Sequence, residues 1–187
     1  MKKTISFKGT NITVEDKVNV GDVFPNFKAT NKDLSDFKLE DYRGKVLVIN
    51  AFPSVFKLED YRGKVLVINA FPSVDTGVCA IQTTRFNQEI KNYDNAVVIT
   101  VSKDLPFALG RFCADKGVDN AVTVSDYKYR DFENQAGLLI EELGLLARAV
   151  FVVDAEGVVR YKELCEEVGN EPNFEKALEE VKNLSAR

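Results

Sequence analysis

Nineteen residues of this 187-residue chain are written twice: positions 37–55, FKLEDYRGKVLVINAFPSV, recur without a change as positions 56–74. Each copy carries the heptapeptide VLVINAF. It is β-branched, almost free of polar residues and too short for a core helix, so it reads as a strand buried on both faces. A single sheet has one central slot for such a strand, and one copy must therefore be left out of it. Natural repeats drift apart and two copies are too few for a solenoid, so identity points to an inserted, engineered segment. Removing it leaves 168 residues, an ordinary size for one domain. Because the copies are identical, the chain can leave the first and rejoin the second at any matching residue. A crossing before Phe56, or at the Tyr42-Arg43-Gly44 turn, keeps Val65 to Phe71 in the slot and expels the extra residues at the surface. A crossing after Val55 would put Pro53 in place of Pro72. The expelled copy is expected either to stay a disordered loop or to seek edge pairing and swapping.

Only the second copy runs on into a cysteine. Pro72 stops the strand Val65 to Phe71, Asp75 and Thr76 are natural capping residues, and Ile81, Phe86 and Ile90 then recur at helical offsets. Cys79 is thereby placed in the first turn of a helix, where unpaired backbone N–H groups and the positive end of the macrodipole favour thiolate over thiol. An arbitrary cysteine is more often a small buried hydrophobe. A strand-to-helix turn reverses that expectation. Thr76, three residues earlier, can offer its hydroxyl to the sulfur or to an oxygen bound there, and Pro72 would fix the loop that shields them.

The chain contains no histidine, which removes Cys–His and Ser–His–Asp catalysis; with three cysteines in all, a structural zinc site is not expected either. An odd cysteine count without an apolar signal core argues for reactive thiols in the cytoplasm and against a disulfide-stapled scaffold. The net charge of −4 gives no field for nucleic acid or an anionic membrane, and no phosphate-binding glycine loop is present.

The remaining elements read in order. Thr4 to Val14 alternates about Lys8-Gly9-Thr10 as a β-hairpin. Ala96 to Val101 is a buried strand, and Pro106 opens a helix that carries Cys113. Ala121 to Ser125 is a short strand and Tyr129 to Gly137 a helical stretch. Ala149 to Val153 turns at Asp154-Ala155-Glu156-Gly157 into a partner strand, Val158 to Glu163. Glu175 to Leu184 is a terminal amphipathic helix. Cys79 and Cys113 lie 34 positions apart on successive strand–helix units. A disulfide between them is topologically allowed, although two intact helices need not bring their Cα atoms within the ~7 Å a bond demands. On residues alone, Cys113 reads equally as a core position, and Arg148, before its strand, as a solvated charge.

Pro72, Thr76 and Cys79 match the P-x-x-x-T-x-x-C signature of the peroxiredoxins, and FPSVDTGVCA resembles their thiol peroxidase branch, an atypical two-cysteine subgroup. The resemblance continues through KDLPFALGRFC, ARAVFVVD and EPNFEKAL, across essentially the whole chain. It implies an α/β thioredoxin-like fold of peroxiredoxin type, a single domain over 1–187 capped by an N-terminal hairpin. It further implies Cys79 as the thiolate that attacks peroxide, Cys113 as the resolving cysteine brought in by local unwinding, and Arg148 as the active-site arginine beside Cys79. Hydrogen peroxide and alkyl hydroperoxides would be substrates, thioredoxin the reductant and a homodimer the assembly, with no metal or organic cofactor. Cys165 falls outside the pattern and reads as a structural or bystander thiol, and Thr84 stands where relatives often carry a basic residue. Two other readings compete. One is an engineered duplication variant of impaired activity that serves as a folding or switching scaffold. The other is a disulfide reductase or chaperone on the same fold, disfavoured by the absence of C-x-x-C.

Overall fold

A computed structural model describes residues 2–42 and 65–186. Its strands are β1 (Lys3–Phe7), β2 (Thr10–Val14), β3 (Lys28–Asn31), β4 (Asp36–Lys38), β5 (Val65–Ala70), β6 (Ala96–Ser102), β7 (Ala121–Ser125), β8 (Leu139–Ile140), β9 (Leu145–Leu146), β10 (Ala149–Val153) and β11 (Val159–Leu164). Its α-helices are α1 (Gly77–Glu89), α2 (Pro106–Lys116), α3 (Asp131–Ala136) and α4 (Phe174–Ser185). Seven strands form one sheet in the order β11-β10-β5-β6-β7-β3-β4. The central β5, β6 and β7 are parallel, and the outer strands pair antiparallel. This is the mixed α/β, thioredoxin-like arrangement that the resemblance implies.

Every residue of β5 is buried, as a strand covered on both faces requires. Alternation divides its side chains between two cores. Leu66, Ile68 and Ala70 join Val97, Ile99, Val101, Phe151 and the ring cluster Phe24, Phe27, Phe37 and Phe132 on one face. Val65 and Val67 join Phe86, Cys113, Val150, Val152 and the α4 residues Phe174, Ala177 and Val181 on the other. The same parity places Asn69 of β5, Thr100 of β6 and Arg148 just ahead of β10 on the helix-covered face.

Both copies of the repeat contribute to this sheet. Phe37, from the first copy, lies in β4 and packs its ring 5.3 Å from that of Phe27. β5 comes from the second copy, and Pro72 is the proline that follows it. The chain thus runs on the first copy as far as Tyr42 and on the second from Val65. The expelled segment anticipated between these points falls at 43–64, outside the described residues.

The hairpin β1–β2 closes through Lys8 and Gly9, both at positive φ (51° and 77°), which is the backbone twist a two-residue hairpin loop needs. Pro106 is the first residue of α2, and Gly117, left-handed at φ 64°, ends it with its N–H on the Cys113 carbonyl. Three expectations shift. The helical stretch anticipated from Tyr129 begins at Asp131, because Arg130 takes a left-handed conformation and the Asp126 carboxylate, five residues before the helix, accepts from the N–H groups of Phe132 and Glu133 at 3.0 and 3.1 Å. The second hairpin strand is Val159–Leu164, one residue later than read. In α1, Ile81 is exposed; the inward face consists of Cys79, Gln82, Thr83, Phe86 and Asn87. No helix among the described residues is long and apolar enough to cross a membrane.

Candidate active site

The helix-covered face of the sheet is apolar along most of its depth and polar at one end. Asn69, Thr100, Ser102, Thr123 and Ser125 all lie buried at or near the C-terminal ends of β5, β6 and β7. That end of a parallel sheet is where strand-to-helix turns converge and where α/β proteins place their chemistry. Arg148 enters from the same end because β10 runs antiparallel to β5, Ala149 opposite Ala70.

Cys79 is the third residue of α1, within the turn whose N–H groups have no intrahelical acceptors. It is fully buried in a small apolar cluster with Phe71, Val74 and Leu109. The Arg148 guanidinium, itself only 2% exposed, donates from Nη2 to Cys79 Sγ at 3.3 Å. Its Nε donates to the Val168 carbonyl at 2.8 Å and its Nη1 to Gln82 Oε1. A guanidinium stays charged at any physiological pH, and a buried charge needs compensation. The carbonyl and the amide oxygen are neutral, so this cation is set to balance negative charge on Sγ or on an oxygen bound to it. The Gln82 amide in turn donates to Asn69 Oδ1, and Asn69 Nδ2 lies 3.5 Å from Thr100 Oγ1. A buried polar chain therefore runs from the sulfur through Arg148 and Gln82 into the sheet.

The sequence expectations meet this geometry unevenly. Arg148 is no solvated charge, and it sits against Cys79. Pro72 is buried, one residue beyond Phe71, which follows the end of β5. Thr76 occupies the N-cap position without capping: its hydroxyl donates to the Ser73 carbonyl at 3.2 Å, not to the sulfur, and the residue is exposed. Cys113, on α2, is buried in the larger apolar core that also holds Val67, Phe86 and Phe174, with Sγ 3.5 Å from Thr123 Oγ1. All three cysteines are free thiols. Cys165 follows β11 and is buried; burial first and the Glu163 carboxylate second push its thiol up to about 11, against an opposing pull from Arg148. Thr84 turns its hydroxyl back onto the Ala80 and Ile81 carbonyls.

Gln82 and Asn69 escaped the sequence reading. Gln82 stands three residues after Cys79 and so shares its helix face. Phasing α1 on Ile81 pointed that face elsewhere. Asn69, the lone polar residue of VLVINAF, was the available signal. Among the described residues no group of three His, Cys, Asp or Glu side chains is placed to hold a metal ion.

The redoxin family model matches residues 54–178. Thiol peroxidase from Listeria innocua is 41% identical over 179 residues, covering 95% of this chain and 97% of that protein. Thiol peroxidase from Halalkalibacterium halodurans is 43% identical over 180 residues, covering 96% and 97%. Among solved structures, a peroxiredoxin-like protein from Aquifex aeolicus superposes with a TM-score of 0.80 at 35% identity, covering 97% of this chain and 96% of its own. With relatives this similar along nearly the full length, and a buried cysteine and arginine paired at the turn their signature marks, the chain belongs to the redoxin family and, within it, to the thiol peroxidases.

Proposed function

We propose that this thiol peroxidase reduces hydrogen peroxide and alkyl hydroperoxides by a two-cysteine cycle, as a single domain. The Cys79 thiolate attacks one peroxide oxygen; an S–O bond forms, the O–O bond breaks, and water or alcohol leaves with a proton. Arg148 and the first-turn N–H groups of α1 stabilise the charge that develops on the oxygens. The Cys113 thiol then condenses with the Cys79 sulfenic acid, forming the disulfide and releasing water. A thioredoxin-type dithiol returns both to thiols by exchange. Pro72 shields the sulfur, and Thr76 serves by holding the turn through Ser73. Cys165, kept neutral by burial, takes no part. A homodimer in the cytoplasm is the expected working form, supported by the resemblance to the family; apolar Ile81, Leu105 and Phe107 lie exposed on α1 and around the start of α2. No metal or organic cofactor is required.

The observation that carries this reading is the 3.3 Å contact between Arg148 Nη2 and Cys79 Sγ inside a buried helix start. The test is peroxide consumption coupled to thioredoxin and its reductase, with mass spectrometry of the cysteines after one equivalent of peroxide. The native chain and Cys165→Ala should turn over alike and form a Cys79–Cys113 disulfide, whereas Cys79→Ser should be inert. Turnover by Cys79→Ser, or a disulfide that includes Cys165, would overturn it. Light scattering reports the assembly.

A further inference from the structure

Condensation of Cys79 with Cys113 requires both side chains to leave their places. Cys79 is sealed against Phe71, Val74 and Leu109, and Cys113 sits in a different cluster against Thr123. Something must hold the Cys79 turn while peroxide reacts and let it go afterwards. One carboxylate, not part of the cycle described above, joins the two segments.

Asp104 lies between β6 and α2, two residues ahead of Pro106, the first residue of the helix that bears Cys113. Its own position is fixed by the sheet: its carbonyl accepts from Ser125 Oγ of β7, and its Oδ2 accepts from Ser102 Oγ of β6 at 2.8 Å. From that anchorage the carboxylate reaches across to the turn before α1. Ser73 Oγ donates to Oδ1 at 2.6 Å and the Val74 N–H donates to Oδ2 at 2.8 Å. The turn is then tied to itself, since Ser73 Oγ accepts from the Asp75 N–H at 3.2 Å and the Ser73 carbonyl accepts from the Thr76 hydroxyl. Val74, held by its N–H, packs its side chain in the cluster with Cys79 and Leu109. The turn from 73 to 76 is thus tied to the start of α2 by two hydrogen bonds to a single carboxylate.

The geometry points to Asp104 as a positioning residue for Cys79. Its carboxylate holds the 73–76 turn in the arrangement that reacts with peroxide, and release of those two hydrogen bonds is the step that frees the Cys79 segment to meet Cys113. This rests on the two-cysteine cycle proposed above. It sets a competition. While the turn is held, a Cys79 sulfenic acid can meet a second peroxide molecule, whose O–O bond breaks as a second S–O bond forms to give sulfinic acid with loss of water or alcohol. Once the turn is released, the sulfenic acid condenses with Cys113 instead. A weaker clamp should slow the first oxidation and also protect against the second.

The test uses reduced full-length protein, mixed with hydrogen peroxide and quenched at intervals, with the thiol, disulfide and sulfinic forms of Cys79 read by mass spectrometry. Loss of hydrogen bonds to a carboxylate shifts the held-to-released balance by about tenfold or more. Asp104→Ala should therefore yield about tenfold less sulfinic acid per disulfide and form the first product more slowly, in proportion to the held fraction lost. Asp104→Asn, which can still accept from the Val74 N–H and donate to Ser73 Oγ, should restore most of both. Ser73→Ala, losing one of the two bonds, should fall between and guards against a misfolded Asp104→Ala. A fall in thermal stability with an unchanged sulfinic-to-disulfide ratio would make Asp104 merely structural and overturn the proposal. Failure of the native chain itself to form a Cys79–Cys113 disulfide would instead sink the cycle, and this inference with it.

Discussion

Replacing Arg148 by Met separates catalysis from stability. Met roughly keeps the volume of a side chain that is 2% exposed while removing its charge and its three hydrogen bonds, to Cys79 Sγ, Gln82 Oε1 and the Val168 carbonyl. A preorganised donor facing charge that develops in the transition state is worth about 3 kcal/mol or more, a factor of ~10²–10³ in rate. The folded state is treated differently. Two buried oxygen acceptors lose a partner, at about 1–3 kcal/mol each, the sulfur loses a weaker contact, and the cost of burying a guanidinium without a carboxylate disappears. These terms oppose one another and leave a net change of at most about 2–3 kcal/mol. The assay is single-turnover: reduced protein against limiting hydrogen peroxide, so that the reductant plays no part, with a urea titration alongside. The second-order rate constant should fall at least about 100-fold. Arg148→Lys retains the charge, but an ammonium on a flexible stem cannot serve three acceptors in a planar fork, and it should remain about tenfold below the native chain. If Arg148→Met keeps a third of the native rate, the pairing of guanidinium and sulfur is a packing contact and the electrostatic argument fails.

Two further outcomes test other parts of the molecule. Burial, only partly offset by Lys103 and the two helix N–H groups, raises Asp126 to about 6 from 3.8. The folded chain therefore holds that proton more tightly than the unfolded one: the stabilisation is complete below about pH 4 and is lost as pH rises towards 6, by about 3 kcal/mol. Urea unfolding at steps between pH 4 and 7 should show that decline in the native chain relative to Asp126→Asn, and a difference that is flat across the window would refute it. Deleting residues 37–55 shortens the connection from Tyr42 to Val65 by 19 residues, from 22 to three. Because closure entropy grows only with the logarithm of length, the shortened chain should be more stable by about 2 kcal/mol in urea, with its peroxide rate unchanged; a changed rate would mean that the extra residues reach the site.

Much of the framework was legible because single residues decide it. Lys8-Gly9 fixes a hairpin register, Pro106 starts a helix, and an unbroken β-branched run can only be an inner strand. Period-two alternation even assigns Asn69, Arg148 and the strand-end hydroxyls to one face once the strands are known. The polar interior was harder to see. The phase of α1 taken from Ile81, Phe86 and Ile90 was led astray by Ile81, which is 47% exposed, and so concealed that its buried face carries Gln82, Thr83 and Asn87. Asp104 and Asp126 were invisible for another reason. Each stabilises a turn or helix start some distance along the chain, 30 residues away for Asp104 and Val74, and local capping rules look only a few residues ahead. Thr76 shows the converse, for it occupies the N-cap position and uses its hydroxyl elsewhere.

The repeat sharpens the distinction between what a residue prefers and where its chain can reach. Two identical sequences offered themselves for the same strands, so composition and propensity could not choose between them. Continuity chose. Phe37 follows β3 through a short turn in which the Asn31 N–H donates to the Ser35 carbonyl at 2.9 Å, and it reaches the edge of the sheet with no slack. Val65 to Ala70 must run without interruption into Pro72 and the Asp104-bound turn that presents Cys79. Each end of the repeat is therefore claimed by the element it is covalently nearest. The difference in length falls between Tyr42 and Val65 in the sequence. A site assembled from β5, the turn after it and the start of β10 takes its strand and its cysteine turn from one unbroken run of chain, and that run begins in the second copy.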